Sequence, residues 1–196
     1  MCIYPWFKGN WNWSFVHSVW MDWQSLNAAV IAFISSLIAF NISRHNAKQQ
    51  RERDFIASRS FLPEALSELI TYFKLSARLL KEVWPRVKNS TYQCKTPLEV
   101  STPNLPEQYR EIFSRCISLA EPEVAQYLSR ILVLLQLHHA RIVELSKHFQ
   151  SDSTMLILDS NIITYLYRLA ELQALVGNIF NYSRGLNKFN DNNLIF

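Results

Sequence analysis

The run WQSLNAAVIAFISSLIAFNIS, from Trp23 to Ser43, holds 21 residues without a formal charge. A helix rises about 1.5 Å per residue, so some 20 residues cover about 30 Å, the thickness of a bilayer's hydrocarbon core. A chain with this segment folds either around a membrane anchor or around one long apolar core helix. Gln24, Asn27, Ser35, Ser36 and Asn41 interrupt the run, so its hydropathy alone leaves the soluble core helix as the competing reading.

The flanks favour the membrane. Trp6, Trp11, Trp13, Trp20 and Trp23 all precede or open the run. The indole ring combines an apolar body with one N–H donor and settles where hydrocarbon meets headgroups. Trp6, Trp13 and Trp20 recur every seventh residue with Val16 and Trp23 near the same helical face, which predicts an interfacial segment over residues 1–23. Packing on another subunit's anchor is its alternative.

Charge beside the run sets the expected orientation. Lys8 and Asp22 precede it, whereas Arg44, His45, Lys48, Arg51, Arg53 and Arg59 follow, against Glu52 and Asp54. Basic residues next to a span stay in the cytoplasm. The expected topology is therefore a single pass through the inner (plasma) membrane, with the N-terminus outside and the remainder in the cytoplasm. A cleaved signal peptide would carry its basic residues before the apolar run. The order here is the reverse.

The remaining sequence reads as helix. There are three glycines and seven prolines and no Asn-Gly, Asp-Gly or Gly-Gly pair, so the commonest short hairpin signals are missing. The fold class expected is all-α: a single N-terminal transmembrane helix over 24–43, a juxtamembrane basic helix over 44–61, a bundle of about four helices over 62–185, and a tail over 186–196.

Within the bundle the first helix should run from 63 to 84, with Leu66, Leu69, Ile70, Phe73, Ala77, Leu80 and Trp84 inward and Pro85 as its stop. A long loop, 85–106, follows. The second helix should start at Pro106 and end at Leu119, with Tyr109, Ile112, Phe113 and Cys116 inward. Glu121-Pro122-Glu123 opens a third, ending near Phe149, whose centre from Ile131 to Leu135 is apolar all round and so expected to be deeply buried. Ser151-Asp152-Ser153-Thr154 forms a loop with good N-cap residues. The last helix should run from Met155 to Tyr182, with Ile162, Leu166, Leu169, Ala170, Leu172, Leu175, Val176, Ile179 and Phe180 inward, and Gly185 ending it.

Few residues suggest chemistry. Cys2, Cys94 and Cys116 are odd in number and have no zinc-site spacing, so neither a disulfide framework nor a structural metal is expected. Gly9, Gly177 and Gly185 are too few and too scattered for a phosphate-cradling loop. Adjacent His138 and His139 point about 100° apart on a helix, and Glu144 to His148 is one residue wider than the Glu-x-x-His of di-iron bundles. No cofactor and no metal are expected. The chain has 20 basic and 16 acidic residues, a net charge of +4. That excess lies wholly after residue 43, suits anionic headgroups, and is too small to call for nucleic acid.

Arg141 and His148, with six residues between them, resemble the Arg-x(4 to 6)-His signature of HEPN ribonuclease domains, which are also helical bundles. The resemblance implies RNA cleavage at a dimer interface, with His148 as general acid or base and Arg141 binding phosphate. The polar residue that follows the arginine in that family is Ile142 here.

Function is accordingly expected to be interaction rather than catalysis: a membrane-anchored helical effector that acts through a protein partner or a homo-oligomer, by analogy of build in bacterial stress or phage defence. The alternatives are an anchored HEPN-like ribonuclease, and an oligomer that permeabilises the membrane through a polar face of Asn27, Ser35, Ser36 and Asn41.

Overall fold

The computed structural model describes residues 13–88, 96–150 and 157–189. Trp6, Trp11, the Ser151 to Thr154 loop, the middle of the 85–106 loop and most of the tail lie outside the described residues. Those described form helices α1 (Trp13–Asp22), α2 (Gln24–Arg59), α3 (Leu62–Lys88), α4 (Tyr109–Leu119), α5 (Pro122–Gln150) and α6 (Asp159–Ser183), with no strand among them. Two compact units result, Met1–Arg51 and Glu52–Phe196.

In the first unit, α1 buries Val16 and exposes Trp13, Phe15, Trp20 and Met21. The part of α2 that follows is long and apolar enough to cross a membrane, and none of that apolar stretch is buried within the chain. Leu26, Val30, Ile31, Phe33, Ile34, Leu37, Ile38, Phe40 and Ile42 are all exposed. A soluble core helix would hide a stripe of them against a neighbour.

In the second unit, α3 neighbours α4 and α6, and α5 neighbours the same two. Four helices therefore close a ring of neighbours around one core. Tyr72 of α3 meets His139 of α5, and further along both helices Arg86 lies 6.0 Å over the ring of Phe149, so α3 and α5 run in the same direction. Tyr127 donates 2.9 Å to the Leu175 carbonyl, and Arg130 pairs with Glu171; α6 thus runs against α5. The helices thus form a four-helix bundle in which α3 and α5 are parallel and α6 is antiparallel to both.

The sequence stripes locate most of this core. Leu66, Leu69, Phe73 and Leu80 of α3, Phe113 and Cys116 of α4, Leu128, Ile131, Ile142 and Leu145 of α5, and Ile162, Leu172, Val176 and Ile179 of α6 are buried. Gly185 ends α6 as expected: at φ 74° it sits in the left-handed region, where its N–H reaches the Tyr182 carbonyl at 2.9 Å. Only glycine takes this conformation without steric penalty.

Several expectations are corrected. Pro85 does not stop α3, which continues to Lys88. Proline in the final turn forfeits only the bond to Lys81, while Val83 and Val87 stay buried and Glu82 grips Arg86 four residues on. α4 starts at Tyr109, three residues after Pro106, because residues 104–108 lie along a groove beside α3 instead. α6 starts at Asp159, with Ile157 and Leu158 outside the helix, while the expected start at Met155 lies outside the described residues.

Ala77 faces outward and Ser76 inward. The centre of α5, Ile131 to Leu135, is buried only in part: Ile131 and Leu135 are fully buried and Leu132 and Leu134 half-buried, but Val133 is 62% exposed. Leu166 and Ala170 of α6 are likewise exposed. The common reason is that each helix has neighbours on one side only, so a run that is apolar all round still buries a single stripe.

Glu82 also fastens the chain after α3, because its carboxylate accepts the backbone N–H groups of Glu99 and Val100 at 2.9 and 3.0 Å. Truncating Leu128, which is fully buried, to alanine is expected to cost about 2–5 kcal/mol, the range for a buried leucine whose site cannot collapse. Urea unfolding of the full chain in detergent should show that loss, and an unchanged midpoint would contradict the core assignment.

Candidate functional site

Three groups of residues stand out. The first is the exposed apolar and aromatic surface of the first unit and the residues next to it. Trp13, Trp20 and Trp23 are exposed by 66, 49 and 47%. Past the apolar stretch, Arg44, Lys48, Arg51 and Arg53 are exposed on the same continuous helix. The guanidinium of Arg44 sits 5.7 Å over the ring of Phe40, and His45 and Gln49 join their side chains at 3.0 Å. An apolar segment is thus bounded by exposed tryptophan at one end and exposed arginine and lysine at the other.

The second group is on α5. Arg141 and His148 lie two turns apart, about 10.5 Å along the axis. Arg141 is half-buried with its guanidinium 5.5 Å over Tyr165. His148 is 3% exposed and meets Phe149 edge-on at 5.3 Å. Solvent reaches the arginine and scarcely reaches the histidine.

Nearly three turns before His148, His138 is buried at 2% exposure with neither ring nitrogen hydrogen-bonded among the described residues. Tyr72 meets its ring edge-on at 6.2 Å, and the Tyr72 hydroxyl lies 3.3 Å from Nδ1 of His139. Burial, helped by His139 and Arg141, pushes His138 down to about 4. Burial pushes the Tyr72 phenol up to about 12, and burial with Arg110 nearby lowers His139. The cluster is neutral at physiological pH. The absence of hydrogen-bond partners for His138 among the described residues leaves no signal in the sequence.

The third is a groove of about 510 Å³ between α3 and the chain entering α4. Phe61, Leu75, Leu105 and Ile112 supply apolar wall, and Glu64, Glu68 and Glu107 supply three carboxylates, with no basic residue in the lining. None of the three forms an ion pair among the described residues. Sequence reasoning missed this groove, since its walls come from segments more than 30 residues apart. No family model, curated protein or solved structure matches the chain.

No group of three or more His, Cys, Asp or Glu side chains gathers among the described residues in a way that could hold a metal ion. Cys116 is buried, and burial raises its thiol to about 11, so it is a packing residue and not a nucleophile at neutral pH.

His138 makes the stability of the bundle pH-dependent with a definite sign. The unfolded histidine takes up its proton below its ordinary value of 6.5, whereas the folded one does so only below about 4. The unfolded state thus binds more protons between these values, so stability is full above pH 6.5 and declines as pH falls from there towards 4, by an amount on the order of 3 kcal/mol. Denaturant midpoints between pH 7 and 5 should fall for the wild-type chain and fall less for His138→Leu, in which the lowered His139 still contributes; parallel declines in both would contradict the assignment.

Proposed function

We propose that this chain is a single-pass membrane protein whose helical bundle works by protein interaction, through self-association or a protein partner. The observation that carries the reading is the exposed apolar length of α2, flanked by exposed tryptophans and continuing into exposed arginines. Water would be a costly solvent for nine large apolar side chains, each worth about 1.5–3 kcal/mol when removed from it. Hydrocarbon is the solvent that suits them, and a helix is the form that satisfies its own backbone there.

Arg44, Lys48, Arg51 and Arg53 support a cytoplasmic position for the bundle and an extracytoplasmic N-terminus, in the inner (plasma) membrane of a bacterial cell. The same residues suit anionic headgroups. The bundle adds a carboxylate-lined groove and exposed apolar side chains on α5 and α6, which are surfaces for another protein. A tethered bundle of this kind fits an effector in a stress or phage-defence system, where concentration at the membrane converts weak contacts into stable assembly.

Two measurements test the reading. Protease added to intact spheroplasts should spare the bundle, and permeabilised ones should lose it; digestion before permeabilisation would reverse the orientation. Crosslinking in native membranes should recover the chain in a reproducible multimer or partner complex, whereas a strictly monomeric chain would contradict the interaction role.

A further inference from the structure

The end of α2, from Glu52 to Arg59, belongs to the same compact unit as the bundle. It is covered on one side only. Ser58 is buried and Phe55 and Arg59 are half-buried, whereas Arg53, Ile56 and Ala57 are exposed, as are Ser60 and Phe61 that follow. Those two residues are the whole connection to α3, and their N–H groups reach the Ile56 and Ser58 carbonyls at 3.2 and 3.3 Å. A joint this short and thinly covered depends on the few side chains that tie it to the bundle.

Arg59 is such a tie. Its guanidinium lies 5.9 Å over the ring of Phe55 in its own helix and 5.4 Å over the ring of Tyr182 at the end of α6. Burial raises the Cys116 thiol of α4, and Arg115 and Arg59 oppose that rise, which places Arg59 near α4 as well. Gly185 clears its path. A Cβ at that position would stand 3.3 Å from Nη2 of Arg59, and the backbone there has φ 74°. The glycine is needed twice, for its left-handed conformation and for the approach of the arginine.

Past Gly185 the chain turns back on the helix it has left. The Leu186 N–H donates to the Asn181 carbonyl at 3.1 Å, alongside the bond from Gly185 to Tyr182, the paired closure that reverses a chain at a helix end. Leu186, Asn187 and Lys188 are exposed and Phe189 is half-buried. Phe189 meets Tyr182 at 5.5 Å and Tyr127 of α5 at 5.3 Å, edge to face in both cases. Tyr127 is a fixed seat, because its hydroxyl donates to the Leu175 carbonyl. One ring, Tyr182, thus carries Arg59 and Phe189 together.

We infer that the segment after Gly185 is a strap that clasps the joint between α2 and α3: Phe189, seated against Tyr127, holds the Tyr182 ring, and that ring holds Arg59 and with it the end of α2. An aromatic pair or a partly exposed cation–ring contact is worth about two- to tenfold in an equilibrium. Contacts of that size in series hold a segment in place and still let it go. Withdrawing Phe189 loosens Tyr182, then Arg59, then the last turns of α2, while the core around Leu128 and Ile131 stays closed. The bundle therefore has a releasable coupling between its C-terminal segment and the helix that leads into it.

Hydrogen–deuterium exchange of the full-length chain in detergent, read by mass spectrometry, tests the clasp. In Phe189→Ala the amides of residues 54–61 should exchange about tenfold faster than in the wild-type chain, and those of residues 128–135 at the wild-type rate. Phe189→Tyr keeps the ring and should behave as wild type. Arg59→Ala should also speed residues 54–61, and adding Phe189→Ala to it should bring little more, since both act through Tyr182.

Wild-type exchange over residues 54–61 in Phe189→Ala would overturn the strap. So would two effects that multiply in the double variant, because Phe189 and Arg59 would then act independently. Faster exchange across residues 128–135 in Phe189→Ala would also overturn it, by making Phe189 an ordinary part of the core.

Discussion

Everything about this chain turns on a helix whose apolar side chains have no protein to lie against. From Leu26 to Ile42 the side chains of α2 point outward on every face, where an ordinary amphipathic helix would sort them into a stripe. All-round exposure of this kind is unfavourable in water and favourable in hydrocarbon, and the backbone of an unbroken helix leaves nothing unsatisfied on the way. The tryptophans before it and the arginines after it then need no separate explanation. On the proposed membrane reading, each is the side chain that the adjoining interface stabilises.

The bundle obeys the opposite logic. Its helices are stripes on one side and nearly polar on the other, and their buried leucines, isoleucines and aromatics form one core. A few polar bonds fix its details: Tyr127 to the Leu175 carbonyl across α5 and α6, Glu82 to the backbone of Glu99 and Val100, and Arg59 stacked over Phe55 and Tyr182 beside the Gly185 turn. Arg130, Arg168 and Glu171 form a surface triad in which burial alone would raise the glutamate; the two arginines outweigh it and hold the carboxyl below its ordinary range. Being partly exposed, the triad contributes more to the charge of its face than to stability.

How much of this was legible before the structure follows from which physical signal each feature leaves in one dimension. Helices announce themselves through period, so α3 and α6 were visible from Leu66, Leu69 and Phe73 and from Leu169, Leu172 and Val176, and α5 from its Glu121-Pro122-Glu123 opening and the apolar run from Ile131 to Leu135. Ends were less legible. Pro85 reads as a stop, yet in the last turn it forfeits a single bond that the buried Val83 and Val87 outweigh.

Widths of stripes failed for a related reason, since Val133, Leu137 and Leu166 are as apolar as their buried neighbours and only the number of packed helices decides their fate. The groove was not legible at all, because it joins two segments that meet only in three dimensions. The burial of His148, 3% exposed and edge-on to Phe149 at 5.3 Å, is likewise something its spacing from Arg141 does not encode.

The most direct test of the central claim is extraction of cell membranes with alkaline carbonate, comparing the wild-type chain with Ile34→Arg. Carbonate strips peripheral proteins but not spanning helices. An arginine near the middle of an apolar span costs about 2.5–3.5 kcal/mol of insertion, enough to matter for a run already interrupted by serine and asparagine. The account predicts that the wild-type chain stays in the carbonate-resistant pellet and that a substantial share of Ile34→Arg moves to the supernatant. Release of the wild-type chain without detergent would contradict it.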